Sequence, residues 1–458
     1  SLDKIDNFPI DNIKLNFSNF DPISLDKINN FPTIIYNFSN FDPDDKISLD
    51  KIDNFPYTDI DINIDNIYNI NYINNNHHIL KFNYDTTNDI NGQSEYIINF
   101  NKEIECDILI VGGGGGGGGT HSVNDGVGGG GGAGGLVFLP NHKLNGDYKI
   151  KIGKGGIGKY GTGENGITSL IEKNDGTGFE GIDNFIANGG GGGGRGRLSN
   201  TISGPGNPGG SGGGGGGNSI TNGGESTQNL YNGKGFGNNG GSSTSAYGDQ
   251  SAGGGGAGGQ GQNSYHYTGQ NVGGEGGIGL HKVTINGIEY KFKDLFGTNV
   301  GEYIENSSTI RDLNTTAGDY FNKYYEDGKN TSEDPIPIVE EGIYFAGGGA
   351  GSIDRSTYGN LTLGGLGGGG SVFFDIEKTN GIDGTGGGGA GCGKNHHTHG
   401  SNGGNGIVLI RCKNNIIKSD FSHFNDKISL DKIDNFPLKL YFSNFDPDDK
   451  ISLDKIDN

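Results

Sequence analysis

The sequence predicts an all-β protein: a glycine-rich body of short strands, flanked at both ends by strand-forming repeat arms. Three observations predict it. Glycine, at 95 of 458 residues, comes in short runs separated by compact apolar segments of β character. Aromatic residues reach 10% of the chain, with 20 Tyr and 24 Phe, enough to bury apolar surface where glycine alone would suggest disorder. Helical periodicity is nearly absent. Ordering so much glycine is entropically unfavourable, so the runs must be held collectively.

The arms come first. Ser1-Leu2-Asp3-Lys4-Ile5-Asp6-Asn7 returns at Ser24 with one change, and again at Ser48, Ser429 and Ser452, giving steps of 23, 24 and, at the far end, 23 residues. A fixed period of this size is the mark of stacked or hairpin arrays, whose units bury their apolar faces only against neighbours. Within a unit Leu, Ile and Phe are spaced as short strands, and Phe-Pro and Asp-Pro mark turns. The chain closes on the phrase that opens it and contains no methionine, which reads as one unit of a longer array, processed or partial. On this basis 1–58 and 414–458 are repeat arms and 59–103 is a linker in which Ile60, Ile62 and Ile64 alternate with acidic and amide residues as in a half-wet strand.

The glycine-rich body spans 104–413. Its expected strands are 106–111, 136–139, 148–152, 167–171, 343–345, 372–376 and 407–411, each flanked by glycine. Between 281 and 341 glycine thins out, and the stretches 290–296 and 316–325 have the pattern of short helices, so this interval reads as an inserted lobe. Cys106 precedes the first glycine run and Cys412 follows the last, and the two meet if their strands are neighbours. Three cysteines do not make a disulfide scaffold.

The net charge of −21 argues against nucleic acid and anionic membranes as partners and fits a soluble, mutually repelling surface protein. No stretch of about twenty apolar residues is present to span a bilayer.

Asp107-Ile-Leu-Ile-Val-Gly-Gly-Gly, Gly131-Gly-Ala-Gly-Gly-Leu-Val-Phe, Tyr148-Lys-Ile-Lys-Ile-Gly-Lys-Gly-Gly and the closing Gly403-Gly-Asn-Gly-Ile-Val-Leu-Ile-Arg, in this order, resemble the glycine-rich domain of phage tail-fibre tips and of surface or fibre proteins of large DNA viruses. The interior Asn286-Gly-Ile-Glu-Tyr-Lys-Phe and Gly342-Ile-Tyr-Phe-Ala-Gly-Gly-Gly are similar to giant-virus members. The resemblance does not extend to the arms. The resemblance implies a structural or receptor-binding module, in which glycine runs pack as polyglycine II-type helices. Such a helix has three residues per turn and no internal hydrogen bonds, so its amides require neighbouring rods, and glycine permits their close approach. The runs 112–119, 128–132, 189–194, 212–217, 253–256, 367–370 and 386–389 supply the rods, with Tyr-, Asn- and Ser-containing loops at their ends.

Several motifs invite chemistry. The strand followed by Gly112 to Gly117 matches a dinucleotide fingerprint only because glycine runs satisfy it automatically, and no helix-forming stretch follows. Gly153-Lys-Gly-Gly-Ile-Gly-Lys159 approaches a phosphate loop, but Tyr160 replaces the Ser or Thr that would hold magnesium. Cys392, His396, His397 and His399 cluster four ligands suited to zinc, set against the commonplace reading of a polar loop. Asp42, Asp44, Asp45, Asp59, Asp61 and Asp65 offer oxygen ligands for calcium, although the spacing lacks the calcium-loop pattern and acidic repeats are usually solvated faces. Tyr231, Tyr247, Tyr265 and Tyr267 present flat aromatic faces for a receptor or glycan. Asn306, Asn314 and Asn330, all in the insertion, and Asn360 stand in glycosylation sequons, as do Asn16 and Asn37 in the arms. No arrangement of nucleophile, base and acid stands out, and the expectation is a protein that is not an enzyme and needs no cofactor.

The function expected is a structural fibre or surface protein of a large DNA virus or phage. It would assemble with copies of itself through its arms and display the body, on a virion surface or outside the cell. The alternatives are a receptor- or carbohydrate-binding adhesin module without a polymeric role, and a non-viral extracellular matrix protein.

Overall fold

The computed structural model describes residues 62–65, 71–74, 77–120, 126–174, 185–197, 202–244, 250–267, 270–305, 340–353, 361–373, 377–393 and 398–412. Both repeat arms and the helical stretch expected at 316–325 therefore lie outside the described residues. In chain order the strands are β1 (Ile62–Asp65), β2 (Asn71–Asn74), β3 (His77–Asn83), β4 (Asp89–Ile90), β5 (Gln93–Val111), β6 (Leu136–Gly153), β7 (Ser169–Lys173), β8 (Phe185–Ala187) and β9 (Gly235–Phe236). They continue with β10 (Tyr265–Tyr267), β11 (Gln270–Val272), β12 (Lys282–Ile285), β13 (Ile288–Lys291), β14 (Glu302–Ile304), β15 (Gly342–Tyr344), β16 (Leu361–Thr362), β17 (Val372–Phe373), β18 (Glu377–Lys378) and β19 (Ile407–Cys412), with one short α-helix, α1 (Phe292–Phe296), and one 3-10 turn (Thr86–Asn88) among the described residues. The protein is all-β, as its sequence predicts.

A curled antiparallel sheet of ten strands, in the order β2-β3-β19-β5-β6-β7-β8, carries the architecture. β1 and β4 also pair with β5, and β9 pairs with β6. The closing strand β19 inserts between β3 and β5, so the two ends of the glycine-rich stretch are neighbours in one sheet. Where the sequence suggests separate strands at 136–139 and 148–152, the chain runs continuously as β6, bent where the register with β5 slips between Cys106 and Ile108. Pro140 and Asn141 (φ 52°) occupy that irregularity, because a residue without an amide hydrogen and one tolerant of positive φ fit where ladder bonds are missing. The Asp107 carboxylate accepts the Asn141 N–H (3.0 Å) and pairs with Arg411 on β19 (2.7 Å), so the bulge is fastened to the closing strand.

Alternation along β5 and β19 gives the sheet two apolar faces. Leu109, Val111, Ile407 and Leu409, with Leu136 and Phe138, pack against Val283, Ile285, Phe292, Phe296 and Ile343 from β12, α1 and β15, and against Phe345 just after β15. The opposite residues, Ile108, Ile110, Val408 and Ile410, are equally buried inside the curl, where Phe82 meets Tyr96 with ring centroids 5.4 Å apart.

Beyond Val111 the chain leaves the sheet as an extended glycine run, 112–119, whose hydrogen bonding has a period of three. Gly112, Gly115 and Gly118 donate to Gly135, Gly132 and Gly129; Gly113, Gly116 and Gly119 donate to Ile167, Glu164 and Gly161; Gly114 and Gly117 donate to Gly404 and Ser401. The carbonyls of the same run accept from Gly190, Gly193 and Gly196 on one side and from Gly389 and Cys392 on another. The run 128–135 repeats the scheme, with Gly129, Gly132 and Gly135 donating to Gly194, Gly191 and Asn188, and Gly131 and Gly134 donating to Gly389 and Gly386. Each run is thus enclosed by others, and its amides are satisfied between segments rather than within one.

Side chains are excluded by this spacing. A Cβ placed on Gly115, Gly117 or Gly118 would fall on the carbonyl oxygens of Gly191, Ala390 and Gly194, inside the 3.0 Å that real Cβ atoms essentially never breach. The turn glycine Gly146, with φ 87° and nothing near its Cβ position, needs glycine for its backbone alone. Urea denaturation is expected to show Gly117→Ala losing about 3 kcal/mol or more, by overpacking against backbone that cannot yield, and Gly146→Asn losing no more than about 1 kcal/mol.

Candidate recognition surface

The runs 112–119, 128–135 and 189–194 adjoin β5, β6 and β8 of one sheet and bond to one another in steps of three, so their far ends come level. There Thr120 donates to Thr398, Gly119 to Gly161, Gly196 to Gly119 and Gly217 to Val127, which gathers several loops at the end remote from β5 and β6. This tip is where side chains reappear. Ile202 and Ile220 are 76% and 71% exposed, unusual for isoleucine, and Tyr160 is 42% exposed. Tyr160 forms an isolated antiparallel bridge with His399, their rings 6.0 Å apart, and the Thr398 hydroxyl lies 2.9 Å from His399 Nδ1. Arg195 and Arg197 end the run 189–194, Arg197 exposed and Arg195 half-buried, placing cationic groups at one end of an acidic chain. Lys159 on the same side is paired with Glu164.

The sequence-derived site residues distribute unevenly. Cys392 is buried within the run lattice, its N–H donated to Gly118, and burial pushes its thiol above the ordinary value. His399 is exposed at the tip, while His396 and His397 lie outside the described residues. Among the described residues no group of three or more His, Cys, Asp or Glu side chains is assembled to hold a metal. Of the acidic set, Asp65 stands on β1 opposite Ile97 of β5, and Asp42, Asp44, Asp45, Asp59 and Asp61 are outside the described residues. Tyr231 is half-buried at a positive φ of 42°, its ring 5.5 Å from Phe185 and its hydroxyl accepting the Ile186 N–H (3.0 Å). Tyr265 and Tyr267 lie on β10, paired with β11, and Tyr247 is outside the described residues, as are Asn306, Asn314, Asn330 and Asn360.

The phosphate-loop look-alikes have their backbone donors committed elsewhere. Gly112 to Gly117 donate to neighbouring runs, Lys154 N–H goes to Gly92, and Gly155 and Gly158 N–H go to the side chains of Asn405 and Asn402. Three carboxylates brace the body instead. Glu302 accepts the N–H groups of Gly367 (2.6 Å) and Gly368 (2.7 Å), Glu340 pairs with Lys282 (2.6 Å), and Glu341 binds Lys293 and the Tyr303 hydroxyl (3.0 Å). The tip residues Tyr160, Arg195, Arg197, Ile202 and Ile220 carry no sequence motif. The only signal for them is their position just beyond the end of a glycine run. Among the described residues no helix is long and apolar enough to cross a membrane.

An all-β body scaffolded by glycine backbone, with exposed side chains collected at the ends of its runs, defines a glycine-rich β domain. The family model of the glycine-rich domain matches residues 88–294 and 295–413, and the chain belongs to that family. Comparison with curated proteins gives no match.

Glu275 is half-buried beside the run 253–256, and desolvation pushes its carboxyl from 4.5 to about 7. The folded form therefore holds this proton more tightly than the unfolded chain, and stability must fall as pH rises from 4.5 to about 7. Thermal melts across that range are expected to show wild type losing stability relative to Glu275→Gln, with the gap constant above it.

Proposed function

We propose that the chain is a structural surface or fibre protein, of a large DNA virus or phage, that assembles with copies of itself through its repeat arms and displays the glycine-rich body. The observation that carries this reading is the three-residue hydrogen-bond period between glycine runs, which supports treating them as polyglycine II-type rods. Rods bonded on every side make a stiff block from a composition that would otherwise be a flexible spacer. Stiffness without side chains has little use in an enzyme pocket and much in holding a recognition loop at a distance. The recurrence of one heptapeptide through both arms, at Ser48 and Ser429 among others, supports association of arm with arm, since sequences patterned to form strands recruit further strands. A head-to-tail contact of this kind leads to an open filament rather than a closed ring.

The tip favours a host-surface glycan or receptor as the displayed body's partner: Tyr160 and His399 offer ring faces beside Arg195 and Arg197. Electron microscopy of the full chain is expected to show filaments that disappear when 1–58 and 414–458 are removed, while native-state amide exchange of 112–119 stays slow in both forms. Isolated particles at high concentration with arms intact would sink the assembly reading; fast exchange of 112–119 would sink the rod reading.

A further inference from the structure

We propose that Cys106 and Cys412 form an intrachain disulfide that locks the closing strand of the body onto its opening strand. The two residues are direct cross-strand partners in the β5–β19 ladder, so their side chains stand on the same face of the sheet. Their sulfurs are 3.6 Å apart, and both residues are fully buried. Opposed residues of an antiparallel pair have Cα atoms about 4.5 to 5.5 Å apart, inside the span a disulfide bridges, so side-chain rotation alone brings the sulfurs to bonding distance. The neighbouring pair on these strands is also a fastening, the Arg411–Asp107 ion pair, so the ladder is held at two successive positions.

What this bond would enclose gives it a purpose. The loop from 106 to 412 contains every glycine run of the body, and an unfolded chain so rich in glycine has unusually many conformations to lose. Tying its two ends removes part of that freedom, and it does so where the register of the run lattice is set, since the first run leaves β5 and the last approaches β19.

The oxidant required is a disulfide, either a small molecule such as glutathione disulfide or the active-site disulfide of an oxidoreductase. One thiolate, from Cys106 or Cys412, attacks a sulfur of the oxidant, whose S–S bond breaks and releases one thiol. The second thiolate then attacks the resulting mixed disulfide and displaces the other half. The two thiols lose two protons and two electrons, and the oxidant leaves as two thiols. Burial pushes the Cys106 thiol well up, with Cys412 beside it adding to the effect, so exchange belongs to the stage before β19 is fully docked. Afterwards the same burial shields the bond from reductants.

The test refolds the wild-type full chain in glutathione disulfide, unfolds it under acid quench, and counts thiols by alkylation and mass spectrometry. One free thiol, at Cys392, a mass lower by two hydrogens and a linked peptide pair containing residues 106 and 412 are expected. Melting is expected about 5 to 10 °C higher oxidised than reduced, a gap retained in Cys392→Ala and abolished in the Cys106→Ala/Cys412→Ala double variant. Three free thiols in a folded chain, a bond to Cys392, or zinc held by unoxidised thiols would each overturn the proposal. The wild-type thiol count decides it even if the double variant fails to fold.

Discussion

Hydrogen bonds from one glycine backbone to another set the terms for the whole body. A run such as 112–119 makes no hydrogen bonds within itself, so each of its amides depends on a carbonyl in another segment of the chain. That dependence works only where backbones touch, and they touch only where no Cβ intervenes, as at Gly115 and Gly118. Glycine is therefore the residue the packing demands, and the entropy it loses on ordering is recovered through bonds made on all sides of each run.

Side chains enter this lattice on restrictive terms. Alanine is admitted at 133, 252, 350 and 390, buried and small enough to sit in the same rows. Most larger apolar groups gather on the sheet, where Leu109, Phe138 and Leu409 meet the Phe292 and Phe345 layer and Phe82 meets Tyr96, and a few, such as Val127, Ile353 and Val372, are buried beside the runs. The sheet anchors the runs 112–119, 128–135 and 189–194 at β5, β6 and β8, and the three-residue step carries that register outward and into the runs bonded to them. The exposed side chains Ile202 and Ile220 contribute little to the bonds that hold the body together.

Much of the sheet was legible in the sequence. The segments 106–111, 136–139, 148–152 and 407–411 are β-branched or alternating and bounded by glycine, and each is found within β5, β6 or β19. The short helix at Phe292–Phe296 also follows from its local pattern. The continuity of β6 through Pro140 was not legible, because proline and asparagine ordinarily end a strand, and only the slipped register opposite Asp107 lets the chain continue. The structural place of a tyrosine is likewise invisible to local reading. Aromatic character marks Tyr231 as a candidate, yet its hydroxyl serves the Ile186 backbone, and the exposed tip residues Ile202 and Ile220 look unremarkable in sequence.

The sequence by itself determined the class: glycine in runs, strands between them, a strongly acidic balance and repeated arms, all properties of composition and short-range pattern. Only the tertiary structure decided which run bonds to which, that β19 lies between β3 and β5, that Cys106 faces Cys412, and which loops share the tip. The reason is that consecutive glycines are indistinguishable from one another. A run carries no local mark of its partner, and its register is imposed from outside by the few side-chain-bearing strands that anchor its ends.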